Sequence, residues 1–172
     1  MDDESFLTVL QAVEDLNIPD AWVSAGYLRN KIWDAQDAIS TPVHDIDVIY
    51  FDEKDTSINI EKKLEAQLGT ILPGKPWSVK NQARMHKKNG LGPYHSSFDG
   101  VANFPETPTA VAIRLTNKEL EVMAPYGLSD LFSQYVRPTP NFDEKSELYN
   151  VYLERVSQKG WDEIWSKVSV ER

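Results

Sequence analysis

The sequence predicts an α/β or α+β domain, on three observations. Apolar residues recur at three- and four-residue spacing near the N-terminus, the periodicity of an amphipathic helix. Ile46-Asp47-Val48-Ile49-Tyr50-Phe51 is β-branched and aromatic, and apolar on both faces beyond its acidic start, which suits a central strand in a covered sheet. Residues 109–115 and 120–124 read as two strands joined at Thr116-Asn117-Lys118, a hairpin. No repeat, low-complexity run or linker interrupts the pattern, so residues 1–172 are expected to form one domain.

Each element follows from local signals. Phe6, Leu7, Leu10, Ala12, Val13 and Leu16 give the first helix its apolar face, and Pro19 closes it. Ala21-Trp22-Val23-Ser24 is a short strand, ended by Gly26. Residues 27–38 are helical again, with Leu28, Ile32 and Trp33 on one side, until Thr41-Pro42 breaks the run. After the 46–51 strand, residues 60–68 form a short helix and Pro73-Gly74-Lys75-Pro76 a turn. Ser78 is placed to cap a helix over 78–88, on which Lys80, Arg84 and Lys88 stand four apart as a basic stripe. Asn89-Gly90-Leu91-Gly92-Pro93 is a loop. Residues 128–136, 144–158 and 161–168 are predicted helices, with Gly160 between the last two.

Composition narrows the function. With 41% hydrophobic and 26% charged residues, the chain is globular and not disordered. The absence of cysteine excludes disulfides, thiolate zinc sites and cysteine nucleophiles. No apolar run approaches the ~20 residues that span a bilayer, so no membrane partner is expected. The acidic start Met1-Asp2-Asp3-Glu4-Ser5 is unlike a secretory signal, and the expected location is cytoplasmic. The net charge of −9 argues against a protein that coats nucleic acid with its whole surface. The charge is uneven, however. Between Glu65 and Asp99 there is no acid, while Lys75, Lys80, Arg84, Lys87 and Lys88 lie there. Such a segment suits a local anion such as phosphate, although a charge run alone is more often a solvated face.

Several chemistries are missing. There is no Gly-x-Gly-x-x-Gly, no Gly-x-Ser-x-Gly, and Gly74-Lys75 runs into Pro76 where a Walker loop needs Ser or Thr. Three scattered histidines lack metal-ligand spacing. His44-Asp45 spells the pair of metal-dependent phosphohydrolases, but it opens a strand where that pair belongs on a helix.

The informative cluster is Asp45-Ile46-Asp47. Residues i and i+2 of a strand share a face, about 6.6 Å apart along the chain. Two carboxylates so placed repel unless a cation lies between them. A hard divalent ion, Mg²⁺ or Mn²⁺, fits; two acids facing water at a strand end is the plain alternative. Upstream, the run from Ala21 to Gly26 leads a strand into a glycine turn and a helix whose first turn holds Arg29 and Asn30. A helix N-terminus of this kind attracts phosphate.

A strand–Gly–helix unit followed by a strand opening with Asp-x-Asp resembles the nucleotidyltransferase superfamily typified by DNA polymerase β. At closer range, Trp22-Val23-Ser24-Ala25-Gly26-Tyr27-Leu28-Arg29-Asn30, Trp77-Ser78-Val79-Lys80-Asn81-Gln82-Ala83-Arg84-Met85-His86 and Ala124-Pro125-Tyr126-Gly127-Leu128 resemble the bacterial nucleotidyltransferase-like proteins. The likeness covers about residues 21–138. It implies the nucleotidyltransferase fold, a central mixed β-sheet flanked by helices. By the same likeness, Gly26, Arg29 and Asn30 would hold a nucleoside triphosphate, with Lys80 and Arg84 neutralising it or an anionic acceptor. Asp45 and Asp47 would hold magnesium. Glu121, in Leu120-Glu121-Val122, is the first candidate for a third catalytic carboxylate and Glu106 the second. One departure is Gly26-Tyr27, where the superfamily has Gly-Ser or Gly-Gly. His86 is a candidate for orienting a group, and Trp77 and Tyr94 for stacking on a base, although core packing explains these aromatics more simply. The implied activity is nucleotidyl transfer to an acceptor that is a small molecule, protein or RNA; the alternative is a catalytically silent nucleotide- or phosphate-binding module.

Overall fold

A computed structural model describes residues 3–172. The chain runs α1 (Asp3–Asp15), β1 (Trp22–Ser24), α2 (Gly26–Asp37), β2 (Ile46–Tyr50), α3 (Ile58–Ile71), β3 (Trp77–Asn81) and α4 (Gln82–Met85), followed by a 3-10 turn, His86–Asn89. It continues through α5 (Ser97–Ala102), β4 (Ala112–Thr116), β5 (Glu119–Met123), α6 (Ser129–Phe132), β6 (Tyr135–Val136), α7 (Tyr149–Lys159), α8 (Trp161–Ile164) and β7 (Ser169–Val170).

Five strands form a mixed sheet in the order β3-β2-β1-β4-β5. β2 and β3 are parallel, joined by the α3 crossover, and the other neighbours are antiparallel. β2 is therefore an interior strand, as its two apolar faces predict. Alternation divides its side chains. Val23, Val48, Val79 and Ile113 belong to the larger core, with Val9 and Leu10 of α1 and Leu64 and Leu68 of α3. Each fully buried valine or leucine there contributes roughly 1.5–3 kcal/mol. Trp22, Ile49, Ala112 and Met123 form a smaller cluster on the opposite face, with Val101 of α5. Asp47 shares the face of Ile49. This thinly covered side is where a cleft opens.

The outer edge of β3 is closed by side chains. Glu61 and Glu65 of α3 accept the backbone N–H groups of Asn81 and Val79 at 2.8 and 3.0 Å. Such cover removes an open edge that would otherwise pair with another strand. The hairpin is as predicted: Asn117 and Lys118 both have positive φ, 51° and 69°, as a two-residue type I′ turn requires.

Four expectations are corrected. Residues 78–88 are not one helix, because Trp77–Asn81 pairs residue for residue with Ile46–Tyr50 as β3. The Lys80, Arg84 and Lys88 stripe therefore does not exist. Residues 128–136 give only one helical turn, since Gln134 at φ 54° turns the chain into β6. The helix over 161–168 stops at Ile164, and the following residues lead into β7, which pairs with β6 in parallel. α7 starts at Tyr149 rather than 144, after turns in which Asp143 and Ser146 side chains accept the Lys145 and Leu148 amides. Unforeseen in the sequence, α5 is capped by Ser96, whose hydroxyl accepts the Asp99 amide at 3.1 Å.

Candidate active site

Asp45 immediately precedes β2 and Asp47 is its second residue. The loop leading to them is anchored by Asp34 on α2. One Asp34 oxygen accepts the Thr41 amide and hydroxyl at 2.9 and 3.0 Å, and the other accepts Trp165 Nε1 at 2.9 Å. The Trp33-Asp34 pair thus fixes where Asp45 stands. Asp45 is exposed and Asp47 half-buried. Burial first, and then the charge of Asp45, push the Asp47 carboxyl above its ordinary range, while a Ser78 hydrogen bond and the charges of Lys80 and Lys159 pull it down. Neither aspartate forms an ion pair with any described residue.

Across from the aspartates, Gly26 begins α2. Ala25 before it provides no side-chain cap, so the amides of Gly26, Tyr27 and Leu28 lack intrahelical acceptors. Ala25 itself has φ 57° and ψ −129°, so the strained residue of this turn is the alanine and not the glycine. A Cβ on Gly26 would stand 3.5 Å from Arg29 Nη2, within ordinary contact.

Arg29 is 5% exposed. Its Nη1 donates to Thr109 Oγ1 at 2.6 Å, and Nε and Nη2 donate to Asn30 Oδ1 at 3.2 and 2.8 Å. The guanidinium lies over the rings of Trp33 and Trp161 at 5.3 and 4.5 Å. Burial lowers its pKa to about 10, which leaves it charged at neutral pH. Among the described residues no carboxylate pairs with it. Asn30 therefore orients Arg29 through its carbonyl oxygen.

The cleft has two lobes that meet at Asp47. The larger, about 500 Å³, is lined by Gly26, Arg29, Lys31, Asp45 and Lys159. The smaller, about 220 Å³, is lined by Ser24, Lys80, Gln82, Met85 and Tyr94. Thr109, Lys88 and Arg155 border both. The structure thus brings together Gly26, Arg29, Asn30, Asp45, Asp47 and Lys80 of the residues singled out in the sequence.

Lys88 and Tyr94 also line the cleft, whereas Arg84, Glu121, Glu106, His86 and Trp77 are engaged elsewhere. Arg84 turns to the far side of β3, where its Nε and Nη2 donate to the buried Glu61 carboxylate at 2.6 and 2.5 Å. Glu121 lies on the edge strand β5, three strands from β2, and accepts Arg114 Nη2 at 2.6 Å. Glu106 is fully buried against Arg155, with Nε at 2.6 Å. His86 packs edge-on to Tyr94, and Trp77 donates to the Leu72 carbonyl; of the two aromatics proposed for stacking, only Tyr94 reaches the cleft. Sequence reasoning missed Ser24, Gln82, Thr109, Arg155 and Lys159. The four-residue spacing of Arg155 and Lys159 on one helix face was the available signal for that pair.

The aspartate pair suits a divalent cation. Two like charges line the same lobe without an ion-pair partner among the described residues, and the burial of Asp47 together with the charge of Asp45 disfavours its ionised form. No group of three or more histidines and carboxylates with metal-holding geometry occurs among the described residues. Two carboxylates nonetheless suit Mg²⁺, which keeps waters and takes substrate phosphates as its remaining ligands.

A five-stranded mixed sheet with flanking helices, a strand–turn–helix unit and an Asp-x-Asp strand beside it define a protein of the nucleotidyltransferase fold. The chain belongs to the nucleotidyltransferase family, whose model matches residues 11–170. It is similar to a protein whose NMR structure reveals a CCA-adding enzyme head domain, with 37% identity and a TM-score of 0.85, over 96% of this chain and 88% of that one. A tRNA-processing enzyme in an apo form has 15% identity and a TM-score of 0.54, over 95% of this chain and 45% of that one. The CCA-adding enzyme of Bacillus stearothermophilus in complex with CTP has 13% identity and a TM-score of 0.54, over 91% and 38%. The last two share the fold, and the chain spans less than half of their length. None of the curated proteins matches the chain. No described helix is long and apolar enough to cross a membrane.

Proposed function

We propose that this protein is a metal-dependent nucleotidyltransferase that moves a nucleoside monophosphate from a nucleoside triphosphate to an acceptor hydroxyl. One observation carries the reading: Asp45 and Asp47 stand, unpaired, opposite an uncapped helix N-terminus and a buried arginine without a carboxylate partner. Free amides and Arg29 bind and orient the triphosphate. Lys31 and Lys159 add positive charge along the same lobe. Asp45 and Asp47 would hold Mg²⁺ or Mn²⁺, which supplies charge neutralisation at the reacting phosphate. In the transfer, the acceptor oxygen bonds to the α-phosphorus and the α–β bridging bond breaks. Pyrophosphate leaves with the electron pair, and the acceptor proton passes to solvent. The structural neighbour in complex with CTP supports a nucleoside triphosphate as donor. The acceptor hydroxyl belongs to a small molecule, protein or RNA.

The second reading, a nucleotide-binding module without turnover, is favoured by one observation. Neither Glu106 nor Glu121 joins the aspartates as a third carboxylate. Pyrophosphate release from a mixture of the four nucleoside triphosphates, with Mg²⁺ and a cell extract as acceptor source, separates the two. The enzyme reading requires release by the wild type and none by Asp45→Asn/Asp47→Asn. Magnesium-dependent binding with no release by either protein decides for the module.

A further inference from the structure

The smaller lobe carries hydrogen-bonding groups that the transfer chemistry does not use. Gln82 opens α4 and lines this lobe, and the residue is only 2% exposed. Its carboxamide makes no hydrogen bond to any described residue. Gly100 of α5 permits this placement: a Cβ there would overlap Gln82 Oε1 and stand 2.8 Å from its Cγ. A side chain at this position would push the Gln82 carboxamide out of its place. Asn89, half-buried in the same lobe, has a second carboxamide with no partner among the described residues. The Ser24 hydroxyl, fully buried beside them, has none either.

Burying polar groups without partners is unfavourable, and three of them in one lobe mark a place kept for a ligand with its own donors and acceptors. Tyr94, Phe104, Met85 and Ile49 supply the apolar part of the wall, while Lys80, Lys88 and Arg155 bring positive charge toward Asp47. Tyr94 is held edge-on by His86, with ring centroids 5.9 Å apart. At about 220 Å³ the lobe lies below the range of about 300–1,000 Å³ that encloses a whole drug-sized ligand. It admits one heteroaromatic ring system and not a complete nucleotide. Carboxamides that present a donor and an acceptor side by side, next to an aromatic ring, are how proteins read base edges.

We propose that this lobe is a base-recognition subsite, in which Gln82 and Asn89 read the edge of the donor nucleotide's base. The ring lies among Tyr94, Phe104 and Met85, and the triphosphate passes Asp47 into the cationic lobe. The assignment to the donor rests on the transfer reading, because a single nucleoside triphosphate then spans two lobes that meet at Asp47.

The test is calorimetric titration, in Mg²⁺, of the four nucleoside triphosphates and inorganic tripolyphosphate. The wild type is expected to rank the four, binding the preferred one at least about tenfold tighter than tripolyphosphate. Gln82→Leu should remove the ranking, and Gln82→Glu, which replaces the donor by an acceptor, should change which base is preferred. Tripolyphosphate affinity should stay constant in Gln82→Leu, which leaves the charge of the cleft unchanged. Gly100→Ala should act like Gln82→Leu without altering the carboxamide, and thermal unfolding verifies that each variant is folded. Equal binding of all four triphosphates by wild type, or a ranking untouched by Gln82→Leu, overturns the subsite and leaves nucleotidyl transfer intact. If neither tripolyphosphate nor any nucleoside triphosphate binds, the transfer reading falls, and free nucleosides judge the lobe. Shifts of the Gln82 and Asn89 side-chain amide signals on adding nucleosides then uphold base recognition, and unmoved signals overturn it. Nucleosides that bind without competing against the triphosphate overturn the assignment to the donor.

Discussion

Arg155 holds Glu106 with two hydrogen bonds, Nε at 2.6 Å and Nη2 at 3.3 Å, and the carboxylate is wholly buried while a third of the arginine side chain reaches solvent. The pair joins α7 to the segment before β4 at the border of both lobes. It also commits the second candidate for a third catalytic carboxylate to a cation of the chain itself.

This asymmetry predicts which partner matters more for stability. Arg155→Met strands a buried carboxylate and should cost about 3 kcal/mol. Glu106→Gln leaves an arginine that can reach water and should cost about half as much. Urea unfolding gives both values. A Glu106→Gln protein of unchanged stability but without transfer activity would instead make Glu106 catalytic.

Arg84 and Arg29 should behave oppositely. Arg84→Met abandons Glu61, which is fully buried beneath an arginine that is 23% exposed, and should cost about 3 kcal/mol of stability. Tripolyphosphate affinity should not change. Arg29→Met should weaken tripolyphosphate binding about tenfold or more, a change that calorimetry reads directly.

The Asp47 carboxyl gives a pH dependence with a definite sign. Its pKa in the fold is raised above the ordinary carboxylate value, so the folded state holds the proton more tightly than the unfolded one. Stability is therefore lost as pH rises from the unfolded value through the folded value, and the penalty is constant above it. Asp47→Asn should be more stable than wild type at pH 7, and the difference should vanish below about pH 4. Thermal unfolding across this range measures it. Adding Mg²⁺ should raise the wild-type melting temperature and leave that of Asp45→Asn/Asp47→Asn unmoved.

The hairpin turn offers a stabilising change. Lys118 holds φ at 69°, where a side chain is strained and where an Asn-x turn prefers glycine. Lys118→Gly should raise stability by about 0.5 kcal/mol after the added freedom of the unfolded chain is discounted. An equal or lower denaturation midpoint would mean that Lys118 makes compensating contacts.

Where structure was local, the sequence was legible. The α1 and α2 faces, the β2 run, the Asn117-Lys118 turn and the Asp-x-Asp spacing all follow from neighbours within a few residues. β3 was not legible, because Lys80, Arg84 and Lys88 happen to repeat at helical spacing. What makes Trp77–Asn81 a strand is pairing with β2 and the acceptance of its outer amides by Glu61 and Glu65, all at long range. β6 and β7 were hidden for the same reason, being two-residue strands that pair across the C-terminal helices. The position of Glu121 was within reach. A two-residue turn at Asn117-Lys118 sets residue 114 opposite residue 121, so the partner of Glu121 is Arg114 and not a metal. The Gln82 carboxamide had no local signal, since its freedom depends on the close approach of Gly100 from α5.

The guanidinium of Arg29 sits against two indoles, those of Trp33 and Trp161. Indole emission responds to the field of a nearby charge, and this charge is the one an incoming polyanion would meet. A polyanion bound at Arg29 should therefore change the colour and intensity of tryptophan emission, with no attached dye. Because Trp161 belongs to α8 and stands edge-on to Trp33 of α2, loss of the packing between the two ends of the chain should move the same emission, so that ligand binding and unfolding can be followed in a single cuvette.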